Sequence, residues 1–132
     1  FLIVLLLGTG CASARTTEQA DLLHRRFVLV SVDGAPFAAG REAPDIEFNE
    51  GFRVSARICN RHFGPGRLEN GILTVERMAS TRMACPDEVL RGFETLFRGM
   101  LAAGAELDFT GNTLTLRQGG NVLVYTVKDW VH

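Results

Sequence analysis

The sequence has no excess of either charge, because 14 Lys and Arg residues stand against 15 Asp and Glu residues in 132 positions. The basic residues are scattered along the chain, so they form no stripe that could neutralise a nucleic-acid backbone. We therefore expect no nucleic-acid partner. The length allows one hydrophobic core, and we expect a single folded domain.

Sequence motifs of the common catalytic and cofactor sites are also absent. The chain has no G-x-S-x-G nucleophile elbow, no phosphate-binding P-loop, no H-E-x-x-H zinc helix and no dinucleotide fingerprint. We therefore predict a protein that is not an enzyme, with no catalytic residues, no cofactor and no bound metal.

Long apolar runs are missing except at the start of the chain, where residues 1–7 read "FLIVLLL". Seven residues are too few to span ~30 Å of hydrocarbon as a helix. An apolar run that ends in small residues is typical of an export signal. We expect a signal peptide over residues 1–10, incomplete at its start.

Residues 8–11, "GTGC", resemble the bacterial lipobox, in which small residues precede a cysteine that is lipidated, although the usual leucine stands one position too early. We expect lipid on Cys11 and a stable membrane anchor. Positions 12 and 13 lack the aspartate that retains lipoproteins in the inner membrane, which predicts an outer-membrane lipoprotein facing the periplasm. The alternative is an ordinary signal peptide cut near Ala12 or Ala14.

The rest of the chain predicts a flexible tether over residues 11–23 and a folded domain over residues 24–132. Alternating or β-branched segments predict strands, and Asp33-Gly34 and Asn70-Gly71 predict tight turns. The predicted strands are 26–32, 45–48, 52–58, 67–69, 72–75, 105–109, 113–117 and 121–127. The last is apolar on both faces, so we place it centrally in the sheet.

One segment has a clear helical period. Pro86 is expected in the first turn, Asp87 and Glu88 suit the positive end of the helix dipole, and Gly104 is expected to end the helix. Its apolar stripe is formed by Val89, Leu90, Phe93, Leu96, Phe97, Met100 and Leu101. The fold class is therefore α+β: a small curled antiparallel sheet or open β-barrel of about seven or eight strands, capped by one helix.

The cysteines decide whether the chain has reactive chemistry. With Cys11 lipidated, Cys59 and Cys85 remain in an oxidising compartment. A disulfide between them would stabilise the fold by roughly 3.5 kcal/mol through loop closure. Against this pairing, alternation along residues 54–58 puts Cys59 on the polar face of its strand, unless the strand ends or bulges there.

Other interpretations of the same residues stay open. Cys59 could be a thiol nucleophile with His62 as its base. A zinc site could combine Cys59, His62 and Cys85 with His24 or His132. The two cysteines could also be buried free thiols.

Several segments together resemble the META-domain family of bacterial proteins: "HRRFVLVSVDGAPF", "PDIEFNEG", "CNRHFGPGRLENGILTV", "STRMACP" and "LTLRQGGNVLVYTV". The resemblance runs from about His24 to the end of the chain. It implies a small α+β barrel-like domain, often lipid-anchored in the cell envelope, heat-inducible in some members and associated with novobiocin resistance. It implies no catalytic residues. The family signature falls on Cys59, Asn60, Arg61, Thr81, Arg82, Met83 and Cys85.

These observations lead to three hypotheses. The first is a non-enzymatic, monomeric envelope-stress lipoprotein that binds an envelope protein or a misfolded client. The second is a periplasmic small-molecule or lipid-binding module, with Asn60, Arg61 and Arg82 accepting an anionic or amphiphilic ligand. The third is a thiol redox protein.

Overall fold

The computed structural model of the protein describes residues 16–37 and 42–130. The predicted signal peptide, the lipidation site at Cys11 and the possible zinc ligand His132 lie outside these ranges. Among the described residues, no helix combines the length and the apolar character needed to cross a membrane.

Eleven strands and two α-helices form within the described residues. The helices are α1 (Gln19–Leu22) and α2 (Glu88–Ala103), and a single 3-10 turn covers Glu50–Phe52. The strands are β1 (Arg25–Val32), β2 (Ala35–Pro36), β3 (Asp45–Asn49), β4 (Arg53–Arg57), β5 (Arg61–Pro65), β6 (Arg67–Glu69), β7 (Ile72–Thr74), β8 (Ala79–Ser80), β9 (Ala105–Thr110), β10 (Thr113–Gln118) and β11 (Asn121–Trp130).

The strands form one antiparallel sheet in the order β6-β7-β9-β10-β11-β1-β3-β4-β5-β8, with β2 paired to β1. The sheet curls into a half-barrel, and α2 packs against β7 and β10. The predicted α+β class and the central place of β11 are therefore confirmed. The predicted strand count of seven or eight is too low.

Three of the described strands escaped prediction: β2, β5 and β8. The first and last are two residues long, which is too short for any periodicity. β5 contains Gly64 and Pro65, which favour a turn. Pro65 is tolerated because β8 pairs with β5 only at His62 and Phe63, so no neighbour on that side needs an N–H from Pro65.

Gly64 has a steric reason to be glycine. A Cβ at this position would lie 2.6 Å from the carbonyl oxygen of Arg77 and 3.0 Å from a methyl group of Val75. The segment after β7 therefore packs directly on the backbone of β5, which only a residue without a side chain permits.

Helix α2 begins at Glu88, two residues after Pro86, which was predicted to lie in its first turn. Its N-cap is Asp87, whose carboxylate accepts hydrogen bonds from the backbone N–H groups of Val89 and Leu90, so Pro86 lies just outside the helix. Gly104 ends the helix with a φ of 95°, as predicted. The buried side chains of its apolar stripe are Phe93, Phe97, Met100 and Leu101.

The packed domain begins before His24, where the sequence placed its start. Leu22 on α1 is fully buried, and Thr17 is only 7% exposed. The Thr17 hydroxyl accepts a hydrogen bond from the backbone N–H of Phe109 at 3.1 Å. Residues 17–22 therefore belong to the fold, and the predicted tether over residues 11–23 is too long.

Candidate functional site

The seven signature residues come from two chain segments that the fold places side by side. We call residues 59–62 and 80–85 together the clasp. The first segment leads into β5, and the second follows edge strand β8 toward α2. The backbone N–H of Thr81 donates to the carbonyl of Arg61 at 3.0 Å, and the N–H of Arg61 donates to the Thr81 hydroxyl at 3.0 Å.

Asn60 holds the second segment of the clasp through its side-chain amide. Its Oδ1 accepts hydrogen bonds from the N–H of Met83 at 2.7 Å and from the Thr81 hydroxyl at 3.2 Å. Its Nδ2 donates to the carbonyl of Met83 at 3.3 Å and to Glu94 Oε1 at 3.4 Å. Because its amide is fully engaged by protein atoms, the Asn60 side chain links the two segments of the clasp.

Cys59 and Cys85 form a disulfide, as the sequence predicted, with Cα atoms 5.9 Å apart. Strand β4 ends at Arg57, so Cys59 lies in a turn after the strand, which removes the objection from alternation. A sulfur in a disulfide is not a thiolate. In this state it provides neither a nucleophile nor a zinc ligand.

A buried hydrogen-bond network lies beneath the disulfide. His62 is 2% exposed; its Nε2 contacts Glu94 on α2, and its Nδ1 lies 2.7 Å from the Ser80 hydroxyl. Arg98 donates to that same hydroxyl oxygen. All contacts are satisfied if neutral His62 donates from Nε2 and accepts at Nδ1 from the Ser80 hydroxyl.

The pKa of His62 is lowered from its ordinary value of 6.5. The largest cause is burial, which disfavours the charged imidazolium. The hydrogen bond and the negative charge of Glu94 oppose this effect, and the positive charge of Arg98 adds to it. We therefore take His62 to be neutral at pH 7.

Ser80, His62 and Glu94 have the residue types of a nucleophile, a base and an orienting acid. None of the cavities that we find among the described residues is lined by Ser80, and its oxygen already accepts from Arg98. The network is therefore best explained as a brace between β5, β8 and α2. Ligand atoms of Cys59, Cys85 and Glu94 also lie within 4.8 Å of one another, but the two sulfurs are bonded to each other.

Two members of this network, Glu94 and Arg98, were not singled out from the sequence. Glu94 lies among the apolar positions of α2 and is 8% exposed. The available signal was the position of this carboxylate directly after Phe93, among the apolar positions of an amphipathic helix. A charge that is buried there needs a partner.

The remaining signature side chains face solvent. Arg61 and Arg82 are exposed, and Met83 is 72% exposed. Only Arg61 among the signature residues lines the largest groove that we find in the described residues. Asn60 and Arg82 do not line it, so the predicted ligand set of Asn60, Arg61 and Arg82 is not brought together there.

That groove has a volume of about 570 Å³ and lies on the outer side of the sheet. We call its central residues, Arg53, Ser55 and Arg57 of β4 with Arg61 and Phe63 of β5, the arginine face. One wall is formed by Arg26, Asp45 and Glu47.

Comparison with known proteins establishes the family. The META-domain profile matches residues 20–130, nearly the whole described chain. The chain belongs to the META-domain family. It is similar to "Heat shock protein HslJ" of Escherichia coli (strain K12), with 41% identity over 133 residues that cover 98% of this chain and 94% of that protein.

Two solved structures share the fold described here. One NMR structure, at 39% identity, covers 83% of this chain and 94% of its own, with a TM-score of 0.76. A second NMR structure, of a protein from Burkholderia xenovorans, is 19% identical and covers 83% of this chain and 86% of its own, with a TM-score of 0.67. The second likeness concerns the fold alone.

Proposed function

We propose that this chain is a non-enzymatic stress protein of the bacterial envelope. The observation that carries the proposal is the 41% identity, over nearly the full chain, to a protein named as a heat shock protein. In this proposal lipid on Cys11 anchors the domain in the outer membrane, facing the periplasm. There it supports envelope integrity at high temperature and tolerance to novobiocin by binding an envelope protein or a misfolded client.

The geometry of the clasp supports a non-enzymatic role. The residues with the most chemistry to offer, two cysteines, a histidine and a buried glutamate, are bonded to one another. Such bonds brace a small domain against unfolding, which suits a protein that acts under heat stress.

The cellular test uses a deletion strain complemented with wild-type chain or with Cys11→Ala. We expect the wild type to restore survival after a heat shift and growth with novobiocin, and globomycin to cause its unprocessed precursor to accumulate. The Cys11→Ala chain should show no globomycin effect and less restoration. Unchanged survival of the deletion strain would contradict the stress role, and a globomycin-insensitive wild type would contradict the anchor.

The non-enzymatic part has its own test. Purified wild type and Ser80→Ala should hydrolyse p-nitrophenyl acetate at the same low rate, because the Ser80 hydroxyl is occupied by His62 and Arg98. Wild-type turnover that Ser80→Ala abolishes would reveal a hydrolase.

A second candidate function is a periplasmic small-molecule or lipid-binding module. One observation favours it: the arginine face lies in a groove large enough for a small ligand. The third possibility, a thiol redox protein, requires Cys59 and Cys85 to cycle between disulfide and thiol states during function.

A further inference from the structure

The arginine face concentrates positive charge by strand register. Strands β4 and β5 are antiparallel, so Arg57 lies directly opposite Arg61, and Ser55 directly opposite Phe63. Like charges directly opposite each other in a sheet repel and destabilise the pair. A sheet that places two guanidinium groups this way gains stability from any anion that bridges them.

The protein itself neutralises only part of this charge. Arg57 forms an ion pair with Glu42. In the part of the chain that the structure describes, no carboxylate lies within salt-bridge distance of Arg61. The same holds for Arg53, at the other end of β4.

The acidic residues along the groove are engaged elsewhere. Asp45 and Glu47 pair with Arg26 at 3.0 and 3.7 Å. Asp45 also accepts a hydrogen bond from the backbone N–H of Arg57 at 2.9 Å. These acids form one wall of the groove, and neither makes a salt bridge to Arg53 or Arg61. They would also repel a long polyanion laid across the groove, which favours a small ligand.

An apolar surface adjoins the cationic pair. Phe63 is 39% exposed, an uncommon exposure for a phenylalanine, and it projects from the same face of β5 as Arg61. Two residues along a strand separate these side chains by about 7 Å. The Ser55 hydroxyl opposite Phe63 is already engaged, since it accepts a hydrogen bond from Asn49 Nδ2 at 3.0 Å and donates to Glu47 Oε2 at 3.5 Å.

We propose that the arginine face binds a small anionic amphiphile. Its phosphate or carboxylate group bridges Arg57 and Arg61, and its apolar portion covers the ring of Phe63. The groove volume of about 570 Å³ is within the usual range for small-molecule sites. This inference rests on the second candidate function and is independent of the stress role, so its failure in vitro leaves the cellular proposal standing.

The test is a calorimetric titration of the purified chain with dodecyl phosphate, kept below the concentration at which it forms micelles. We expect saturable binding that Arg61→Gln weakens about tenfold, because it removes a charge-assisted hydrogen bond. Arg57→Gln should act in the same direction, and Phe63→Ala should weaken binding several-fold through lost apolar contact. Thermal unfolding curves check that each variant is folded.

The matched control is Arg117→Gln, which removes the same charge from an exposed position on β10. It should leave the affinity unchanged. Equal weakening by Arg117→Gln and Arg61→Gln, or no saturable binding by the wild type, would overturn the proposal.

Two further probes separate the possible sources of the anion. Inorganic phosphate should bind at least about tenfold more weakly than dodecyl phosphate, since it cannot cover Phe63. Anionic phosphatidylglycerol vesicles should bind no more protein than phosphatidylcholine vesicles do. If inorganic phosphate bound as tightly as dodecyl phosphate, the apolar part of the proposed ligand would be wrong. If the protein bound anionic vesicles but not dodecyl phosphate, the arginine face would be a membrane-binding surface and the small-ligand proposal would be wrong.

Discussion

At the scale of single residues, Asn60 determines how the clasp is held together. Its amide supplies hydrogen bonds to Thr81, Met83 and Glu94, three positions that are distant from it in sequence. Replacing it with a residue that offers no amide removes four hydrogen bonds at once. The cost should therefore exceed that of one lost hydrogen bond.

We predict that Asn60→Ala lowers the free energy of unfolding by about 2–3 kcal/mol. The measurement is urea denaturation of the oxidised protein. Asn112→Ala, in the turn between β9 and β10, is the control and should stay within about 0.5 kcal/mol of the wild type. Equal effects of the two substitutions would show that the Asn60 side chain does not stabilise the clasp.

The lowered pKa of His62 predicts how the stability of the protein depends on pH. Its pKa is lower in the folded protein than the ordinary 6.5, so between those two values the unfolded chain binds the extra proton. The His62 contribution to stability is therefore complete above about pH 6.5 and is lost as the pH falls toward the folded pKa.

Urea denaturation between pH 7.5 and pH 5 tests this effect. The wild type should lose more stability on acidification than His62→Gln, because glutamine does not titrate. His24→Asn, which removes an exposed histidine, should keep the wild-type pH dependence. A His62→Gln curve parallel to the wild-type curve would contradict the account.

At the scale of secondary-structure elements, the start of α2 connects the clasp to the core. Asp87 caps the helix two residues after Cys85, so the disulfide is attached to the chain directly before the helix N-terminus. The cap satisfies two backbone N–H groups that would otherwise lack partners.

We predict that Asp87→Ala lowers the free energy of unfolding by about 1 kcal/mol, and that Asp87→Ser restores most of it. Glu88→Ala removes an acidic residue from the first turn without removing the cap. It should cost only a few tenths of a kcal/mol. A loss for Glu88→Ala as large as for Asp87→Ala would assign the effect to charge instead of capping.

Elements with strong local signals were predictable from the sequence. The apolar period located α2, and Asn70-Gly71 forms the predicted hairpin turn, with φ values of 52° and 75°. Strand β5 was missed because its Gly64 and Pro65 favour a turn locally. The chain is extended there because β5 pairs with β4 along its whole length and residues 75–77 pack on Gly64.

The candidate site was likewise predictable from the sequence only in part. The pairing of Cys59 with Cys85 could be inferred from the cysteine count and the predicted compartment. Their contact with Glu94 could not, because it depends on the rotation of α2 against the sheet. The arginine face was equally hidden, since it requires the register of β4 against the unpredicted β5.

At the scale of the whole molecule, the disulfide adds a covalent link between two segments that the hydrogen bonds of the clasp already connect. The bridge spans 26 positions and encloses β5 through β8, so it ties the edge of the sheet to the start of α2. Loop closure of this length contributes about 3.5 kcal/mol. Reduction should therefore lower the free energy of unfolding by about that amount, a large part of the stability of a small domain.

The reduced wild type is to be compared with Cys59→Ser/Cys85→Ser. Both should unfold at similar urea concentrations, below that of the oxidised wild type, and a reductant should not affect the double variant further. An oxidised wild type no more stable than the double variant would show that the crosslink does not stabilise the fold.

The most direct measurement is peptide mapping of protein that has been produced with export to the bacterial periplasm, purified, and alkylated before and after reduction. We predict that Cys59 and Cys85 are recovered as one crosslinked peptide pair without reductant, and that both are alkylated once reductant is added. Recovery of both as alkylated free thiols from the unreduced protein, or of either in a crosslink to Cys11, would contradict the clasp.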